Sequence, residues 1–130
     1  MSKNNGKSVV LVCDDSVLVR SMMRDLMQNE GGVGEVLEAR DGLEAVALYR
    51  EHRPDLVFMD IVMPQKNGLE ALMEIRGYDR AARVVMASST GTHKNLKAAI
   101  DAGACDFIQK PFEKEAVLDI LHRHLEGAWE

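Results

Sequence analysis

The sequence predicts a doubly wound α/β domain, a five-stranded parallel sheet with five helices packed on its two faces. Apolar runs of strand length alternate with longer segments of helical period, and this unit repeats along the whole chain. The runs from Val9 to Val12 and from Leu56 to Met59 are continuously apolar, as in central strands that are covered on both faces. Parallel strands need crossover connections, and right-handed crossovers place helices on both sides of a sheet.

Each element is predicted from its own pattern and its flanking residues. The predicted strands are Ser8–Cys13, Glu35–Ala39, Leu56–Met59, Arg83–Ala87 and Phe107–Gln109. The predicted helices are Val17–Asn29, Leu43–Glu51, Leu69–Tyr78, His93–Ala102 and Glu113–Leu125. Asp41 and Thr92 have the side chains of N-caps. Helix stops are expected at Gly31, Gly32 and Gly103.

Length and composition favour one soluble domain. A chain of 130 residues can bury one full core, and we expect a folded domain over 8–126 with short tails at 1–7 and 127–130. The net charge of −5, without a dense basic run, argues against nucleic-acid binding. No apolar run approaches the roughly 20 residues that span a bilayer, and no signal peptide is evident. We therefore expect a cytoplasmic protein with no membrane insertion.

The sulfur-containing residues favour structural roles. Two cysteines without a close CxxC spacing, Cys13 and Cys105, are predicted to be buried, reduced thiols. Several methionines fall on apolar helix faces or in a strand and are predicted to fill the core. These are Met22, Met23, Met27, Met73 and Met86.

Charged residues follow three of the predicted strands. Asp14 and Asp15 follow the first strand, Asp60 the third, and Lys110 the fifth, while Ser88 ends the fourth. Each alone has an ordinary explanation as a helix cap, a turn residue or a surface lysine. The carboxyl ends of parallel strands share one edge, however, so these groups converge on one crevice. Three carboxylates repel one another unless a cation lies among them, which predicts a site for Mg²⁺ and a phosphoryl group.

The motifs at these strand ends make the sequence similar to a known family. It resembles the receiver domains of two-component response regulators, particularly single-domain chemotaxis members, from about Ser8 to Leu125. The motifs are Val12–Ser16, Met59–Pro64 with Asn67–Gly68, Ala87–Ser89, and Ala102–Phe112. The resemblance implies the flavodoxin-like strand order 2-1-3-4-5 and a cis bond at Lys110–Pro111.

The resemblance also implies a role for each site residue. Asp60 is the implied phosphoacceptor, and Asp15, Asp60 and the backbone carbonyl of Val62 are implied to bind Mg²⁺, with Asp14 assisting through water. Ser88 and Lys110 are implied to hold phosphoryl oxygens, and no other cofactor is expected.

Two positions depart from common members of the family. Ser88 stands where threonine is common, and Phe107, the implied aromatic switch residue, stands where many members carry tyrosine. Val62 and Thr90 occupy positions that tune dephosphorylation, so the sequence leaves the lifetime of the phosphorylated state open.

The implied function is a phosphorylation switch, not an enzyme acting on other substrates. A histidine kinase would phosphorylate Asp60. The face formed by the fourth helix, fifth strand and fifth helix of a monomer would then bind a target such as a flagellar motor switch component, and a phosphatase would be a further partner. No output domain follows Leu125, so we expect output by docking. A single-domain phosphorelay intermediate is the alternative function. An FMN carrier is disfavoured because Asp14 and Asp15 would repel the flavin phosphate, and an aspartyl phosphatase because Val62 stands where its general acid would be.

Overall fold

The computed structural model describes residues 8–63, 65–88 and 93–125. Its single sheet has five parallel strands in the order β2-β1-β3-β4-β5, which confirms the predicted fold class and strand order. The strands are β1 Val9–Cys13, β2 Glu35–Ala39, β3 Leu56–Asp60, β4 Val84–Ser88 and β5 Asp106–Gln109. The helices are α1 Val17–Asn29, α2 Gly42–His52, α3 Gly68–Tyr78, α4 His93–Asp101 and α5 Lys114–Leu125.

Two hydrophobic cores lie on opposite faces of the sheet. Leu11, Val57 and Met86 point into the core that includes buried residues of α2 and α3. Val10 and Phe58, one residue away along their strands, point into the core formed with α1 and α5. Strands β1, β3 and β4 are buried along their whole length, which explains their continuous apolar sequences. The polar residues that follow them therefore begin where the core ends.

The helix ends follow the expected capping chemistry. The Asp41 side chain accepts a hydrogen bond from the Glu44 backbone N–H at 2.8 Å, which confirms it as the N-cap of α2. Asn67 caps α3 in the same way, and the Glu70 side chain accepts in return from the Asn67 N–H. Gly32 and Gly103 have positive φ angles of 72° and 99° just after α1 and α4, as expected for helix stops.

Exposure of several sulfur residues differs from the prediction. Met23, Met27 and Met86 are buried, but Met22 and Met73 are exposed. Neighbouring residues of a helix point about 100° apart, so Met22 cannot share the inward face of Met23. Cys13 is buried, whereas Cys105 is exposed because it lies in the turn before the edge strand β5. Packing of protein atoms around its sulfur and the charge of Asp106 nevertheless raise the pKa of the Cys105 thiol to about 11.

Some sequence predictions fall outside the described residues. These are the N-terminal tail 1–7, Pro64, Ser89, Thr90, the N-cap Thr92 and the C-terminal tail 127–130. Among the residues that are described, no helix is both long and apolar enough to cross a bilayer.

Candidate functional site

The first pair of acids lies in the turn between β1 and α1. Asp14 is buried and Asp15 is exposed. The Asp14 backbone N–H donates to the Ala39 carbonyl at 3.0 Å, and Asp14 Oδ1 accepts from the Ser16 N–H at 2.9 Å. Ser16 in turn caps α1 by accepting from the Val19 N–H at 3.2 Å. The turn thus directs the Asp14 carboxylate inward at the carboxyl end of the sheet.

Asp60 is the last residue of β3, and its side chain is buried. The chain turns immediately afterwards, with the Ile61 N–H donating to the Ala87 carbonyl at 2.9 Å and the Gly68 N–H to the Ile61 carbonyl at 2.7 Å. Val62 lies beside the site with 74% of its surface exposed. Its backbone N–H makes a long contact of 3.4 Å with Asp60 Oδ1.

The ends of β4 and β5 place Ser88 and Lys110 side by side. Ser88 is buried at the end of β4, and its carbonyl accepts from the Lys110 N–H at 2.8 Å. The Lys110–Pro111 peptide bond is cis, as predicted. The Lys110 side chain then extends toward the ends of β1 and β3.

One ammonium group connects the two buried acids. Lys110 Nζ lies 2.6 Å from Asp14 Oδ2 and 2.9 Å from Asp60 Oδ2. Burial raises the pKa of the Asp60 carboxyl above its usual value, and the negative charge of Asp14 adds to the rise, while Lys110 opposes both. Burial by itself would lower the pKa of Lys110, but its hydrogen bonds to Asp14 and Asp60 raise it overall. Lys110 therefore compensates part of the negative charge of the cluster.

The acidic cluster has the composition of a hard-cation site. Asp14, Asp15 and Asp60 each offer a carboxylate oxygen, and these oxygens lie within 4.8 Å of one another. Carboxylate oxygens without sulfur or imidazole favour Mg²⁺ over zinc or copper. The donors thus fit the metal that the sequence predicts.

Phe107 lies on β5, the strand that leads to Lys110. It is half-buried on β5, pairs in register with Met86 of β4, and packs against the core that includes α2 and α3. With Ile100 and Cys105 it lines a groove of about 230 Å³ between α4 and β5. A rotation of its ring would therefore alter both the core and this exposed groove.

Two residues near the site have no counterpart among the sequence predictions. Arg20 of α1 donates from Nη1 to the Asp14 backbone carbonyl at 2.6 Å and from Nε to Glu38 Oε1 on β2 at 3.0 Å. Arg20 lies four residues after the helix cap Ser16, so its side chain is on the same side of α1 as the turn that carries Asp14. Nothing in the local pattern of the edge strand β2 distinguishes Glu38 as its partner.

Comparisons with known proteins agree with this geometry. The family model described as the response regulator receiver domain matches residues 10–122. The chain is 43% identical over 112 residues to the chemotaxis protein CheY of Halobacterium salinarum, covering 86% of this chain and 92% of the relative. It is also 43% identical over 116 residues to CheY of Bacillus subtilis, covering 89% and 96%.

A solved structure from Borrelia burgdorferi, described as a CheX–CheY complex with BeF3 and Mg²⁺, has the same fold. It superposes with a TM-score of 0.85 at 35% identity and covers 89% of this chain and 87% of the other. The family match spans most of the chain, and the strand order and the aspartate cluster agree with it. This chain belongs to the response regulator receiver domain family, whose members are signalling switches.

Proposed function

We propose that the chain is a response regulator receiver that accepts a phosphoryl group on Asp60 from a histidine kinase. The carrying observation is the position of Lys110 Nζ, 2.9 Å from Asp60 Oδ2, at the edge where three aspartate oxygens cluster. A phosphoryl group on Asp60 would meet this ammonium directly. The match to the receiver family supports the same assignment.

In the transfer step, an Asp60 carboxylate oxygen attacks the phosphorus atom and the bond from phosphorus to the donor breaks. The product is an acyl phosphate, and the leaving group carries away the electron pair of the broken bond. An ionised carboxylate needs no general base, so the protein has mainly to orient Asp60 and balance the incoming charge. Lys110 supplies a fixed positive charge, and the Ser88 hydroxyl donates to a phosphoryl oxygen.

A divalent cation would share the task of charge balance. Asp14, Asp15, Asp60 and the Val62 backbone carbonyl would hold Mg²⁺, which when bound neutralises phosphoryl oxygens. Lys110 already pairs with Asp14 and Asp60, so its ammonium is in place to pair with phosphoryl oxygens when charge arrives on Asp60. The site would therefore bind a cation through its carboxylates and a phosphoryl group through Lys110.

Output follows from the strands that adjoin the site. Ser88 moves toward the phosphoryl group, and Phe107 rotates into the space that this releases. The face formed by α4, β5 and α5 then binds a target protein, such as a flagellar motor switch component. Lys97 of α4 would belong to this face. The names of the chemotaxis relatives favour a motility role.

The remaining parts of the proposal concern the whole chain. The receiver domain comprises 8–126 with tails at 1–7 and 127–130, and the chain acts as a cytoplasmic monomer that catalyses only its own phosphorylation and dephosphorylation. Dephosphorylation is assisted by a partner phosphatase. A role as a single-domain phosphorelay intermediate uses the same site and differs in the acceptor of the phosphoryl group.

The test is labelling by a small donor. Purified protein is incubated with acetyl phosphate and Mg²⁺, and intact mass is measured for the parent, Asp60→Asn and Asp101→Asn. Asp101 is an exposed aspartate that pairs with Lys97 on α4, so it controls for the loss of a carboxylate. We expect one added phosphoryl group in the parent and in Asp101→Asn, and none in Asp60→Asn. Equal labelling of all three proteins would exclude Asp60 as the acceptor.

A further inference from the structure

Arg20 joins the turn that carries Asp14 and Asp15 to the edge strand β2. Its guanidinium group donates to the Asp14 carbonyl oxygen at 2.6 Å and to Glu38 Oε1 at 3.0 Å. The Arg20 side chain is only 12% exposed, so these contacts are shielded from solvent. A planar guanidinium with several fixed donors suits this double contact.

The Asp14 backbone is consequently held on both sides. Its N–H donates to the Ala39 carbonyl, and its own carbonyl accepts from Arg20, which is anchored on Glu38. Ala39 and Glu38 are neighbours on β2, so both restraints fix the turn to the same strand. The Asp14 carbonyl and the Asp15 N–H belong to one planar peptide unit. Holding that carbonyl thus sets the direction in which the chain presents Asp15.

We propose, on the basis of the proposed Mg²⁺ and phosphoryl site, that Arg20 is a positioning residue for the metal-binding aspartates. It acts through the Asp14 backbone and has no contact with the metal or the phosphoryl group. Asp15 is exposed, and the orientation of its peptide plane decides whether its carboxylate faces Asp60. The role of Arg20 is to keep that orientation before any ligand binds.

Arg24 offers a control that distinguishes positioning of the turn from general stabilisation of the fold. Arg24, one turn further along α1, also forms an ion pair with Glu38, through the other carboxylate oxygen. Arg20 differs from Arg24 in its additional contact with Asp14. Loss of either arginine removes one α1–β2 ion pair, but only loss of Arg20 releases the turn.

The experiment compares Arg20→Ala, Arg20→Lys and Arg24→Ala with the parent. Mg²⁺ affinity is measured by NMR titration, and the Asp15 and Ser16 amide signals are recorded in metal-free protein. Residues that orient metal ligands typically contribute about 10-fold or more to affinity, so we expect Arg20→Ala to weaken Mg²⁺ binding about 10-fold. Arg24→Ala should retain the parental Mg²⁺ affinity and the parental Asp15 and Ser16 signals, even if its melting temperature falls as far as that of Arg20→Ala.

The lysine variant guards against a folding defect in Arg20→Ala. Lysine preserves the charge beside Glu38 but lacks the rigid fork, so its stability should recover more than its Mg²⁺ affinity. Equal Mg²⁺ affinities in the Arg20 and Arg24 variants, or unchanged Asp15 signals in both Arg20 variants, would overturn the proposal. Failure of the proposed function has a different signature, the absence of Mg²⁺-dependent labelling in the parent. The metal-free amide signals still report on the turn in that case.

Discussion

At the scale of single residues, the site contains three carboxylates whose negative charge is partly compensated by the ammonium group of Lys110. Asp14 and Asp60 are buried, and both lie within 3 Å of Lys110 Nζ, at 2.6 and 2.9 Å. Removing one partner of a buried ion pair leaves an uncompensated charge, which is far more costly than losing an exposed pair. Lys110 thus has a structural role in the resting protein as well as a proposed role in phosphoryl transfer.

The raised pKa of Asp60 gives a pH dependence with a definite sign. Its charged form is disfavoured in the folded protein, mainly by burial and secondarily by Asp14. Its contribution to stability is therefore full below the ordinary aspartate pKa of 3.8 and is lost as the pH rises through the raised value. In metal-free buffer, we expect Asp60→Asn to become more stable relative to the parent as the pH increases from the ordinary aspartate pKa to the raised pKa of Asp60.

Urea unfolding of both proteins over a pH series measures this difference. The pKa of Asp106 is lowered overall. Burial raises it, but hydrogen bonds from His124 and the Phe107 N–H, together with the charge of Arg123, lower it by more. Its contribution has the opposite sign but is common to both proteins, so it cancels in the comparison. A difference between parent and variant that does not change with pH would contradict the raised pKa of Asp60.

At the scale of elements, the junction of β3 and α3 requires a glycine. A Cβ atom at Gly68 would lie 2.0 Å from the Asp60 carbonyl oxygen and 2.8 Å from the Ile61 Cα. Both are backbone atoms, so the start of α3 would have to move away from Asp60. We expect Gly68→Ala to destabilise the protein by roughly 1–3 kcal/mol and to slow phosphorylation.

Gly77 is the matched control, because it lies in the same helix with nothing within 4 Å of an added Cβ. Alanine is favoured over glycine in a helix, and Gly77 lies in the last turn of α3, so Gly77→Ala should stabilise by at most about 0.5–1 kcal/mol. Chemical denaturation measures both changes. Equal effects of the two substitutions would show that the close approach at Gly68 has no energetic consequence.

In the proposed mechanism, β5 is the element that would couple the site to the output face. Phe107 lies three residues before Lys110 and lines the groove between α4 and β5. We expect Phe107→Ala to preserve labelling of Asp60 by acetyl phosphate but to reduce the difference in target affinity between phosphorylated and unphosphorylated protein. Tyr78→Ala, at the end of α3, controls for the loss of an aromatic ring. An undiminished affinity difference in Phe107→Ala would remove Phe107 from the switch.

Most elements were predictable because their signals are local. The helix starts at Gly42 and Gly68 precede the predicted starts by one residue, since the caps Asp41 and Asn67 act directly before them. Strand-end placement brought Asp14, Asp60 and Lys110 together correctly. The contact of Arg20 with Asp14 and the exposure of Cys105 depend on side-chain direction and edge position, which local pattern does not determine.

At the scale of the whole molecule, the sheet edge links metal binding to folding. The aspartate oxygens come from β1 and β3 ends that are far apart in sequence, so the cluster exists only in the folded protein. A ligand that binds only the folded state at 100 times its Kd stabilises it by about 2.7 kcal/mol. We expect Mg²⁺ to raise the melting temperature of the parent and to have a smaller effect on Asp60→Asn. A parental melting temperature indifferent to Mg²⁺ would contradict the metal site.

The central claim is that Asp60 carries the phosphoryl group, and chemical mapping tests it most directly. Borohydride reduces an acyl phosphate on aspartate to homoserine, which mass spectrometry locates within a proteolytic peptide. After treatment with acetyl phosphate and Mg²⁺, homoserine should replace aspartate at position 60, with Asp14 and Asp15 unchanged and no conversion when Mg²⁺ is omitted. Homoserine at position 14 or 15, or conversion at position 60 that is independent of Mg²⁺, would contradict the proposed mechanism.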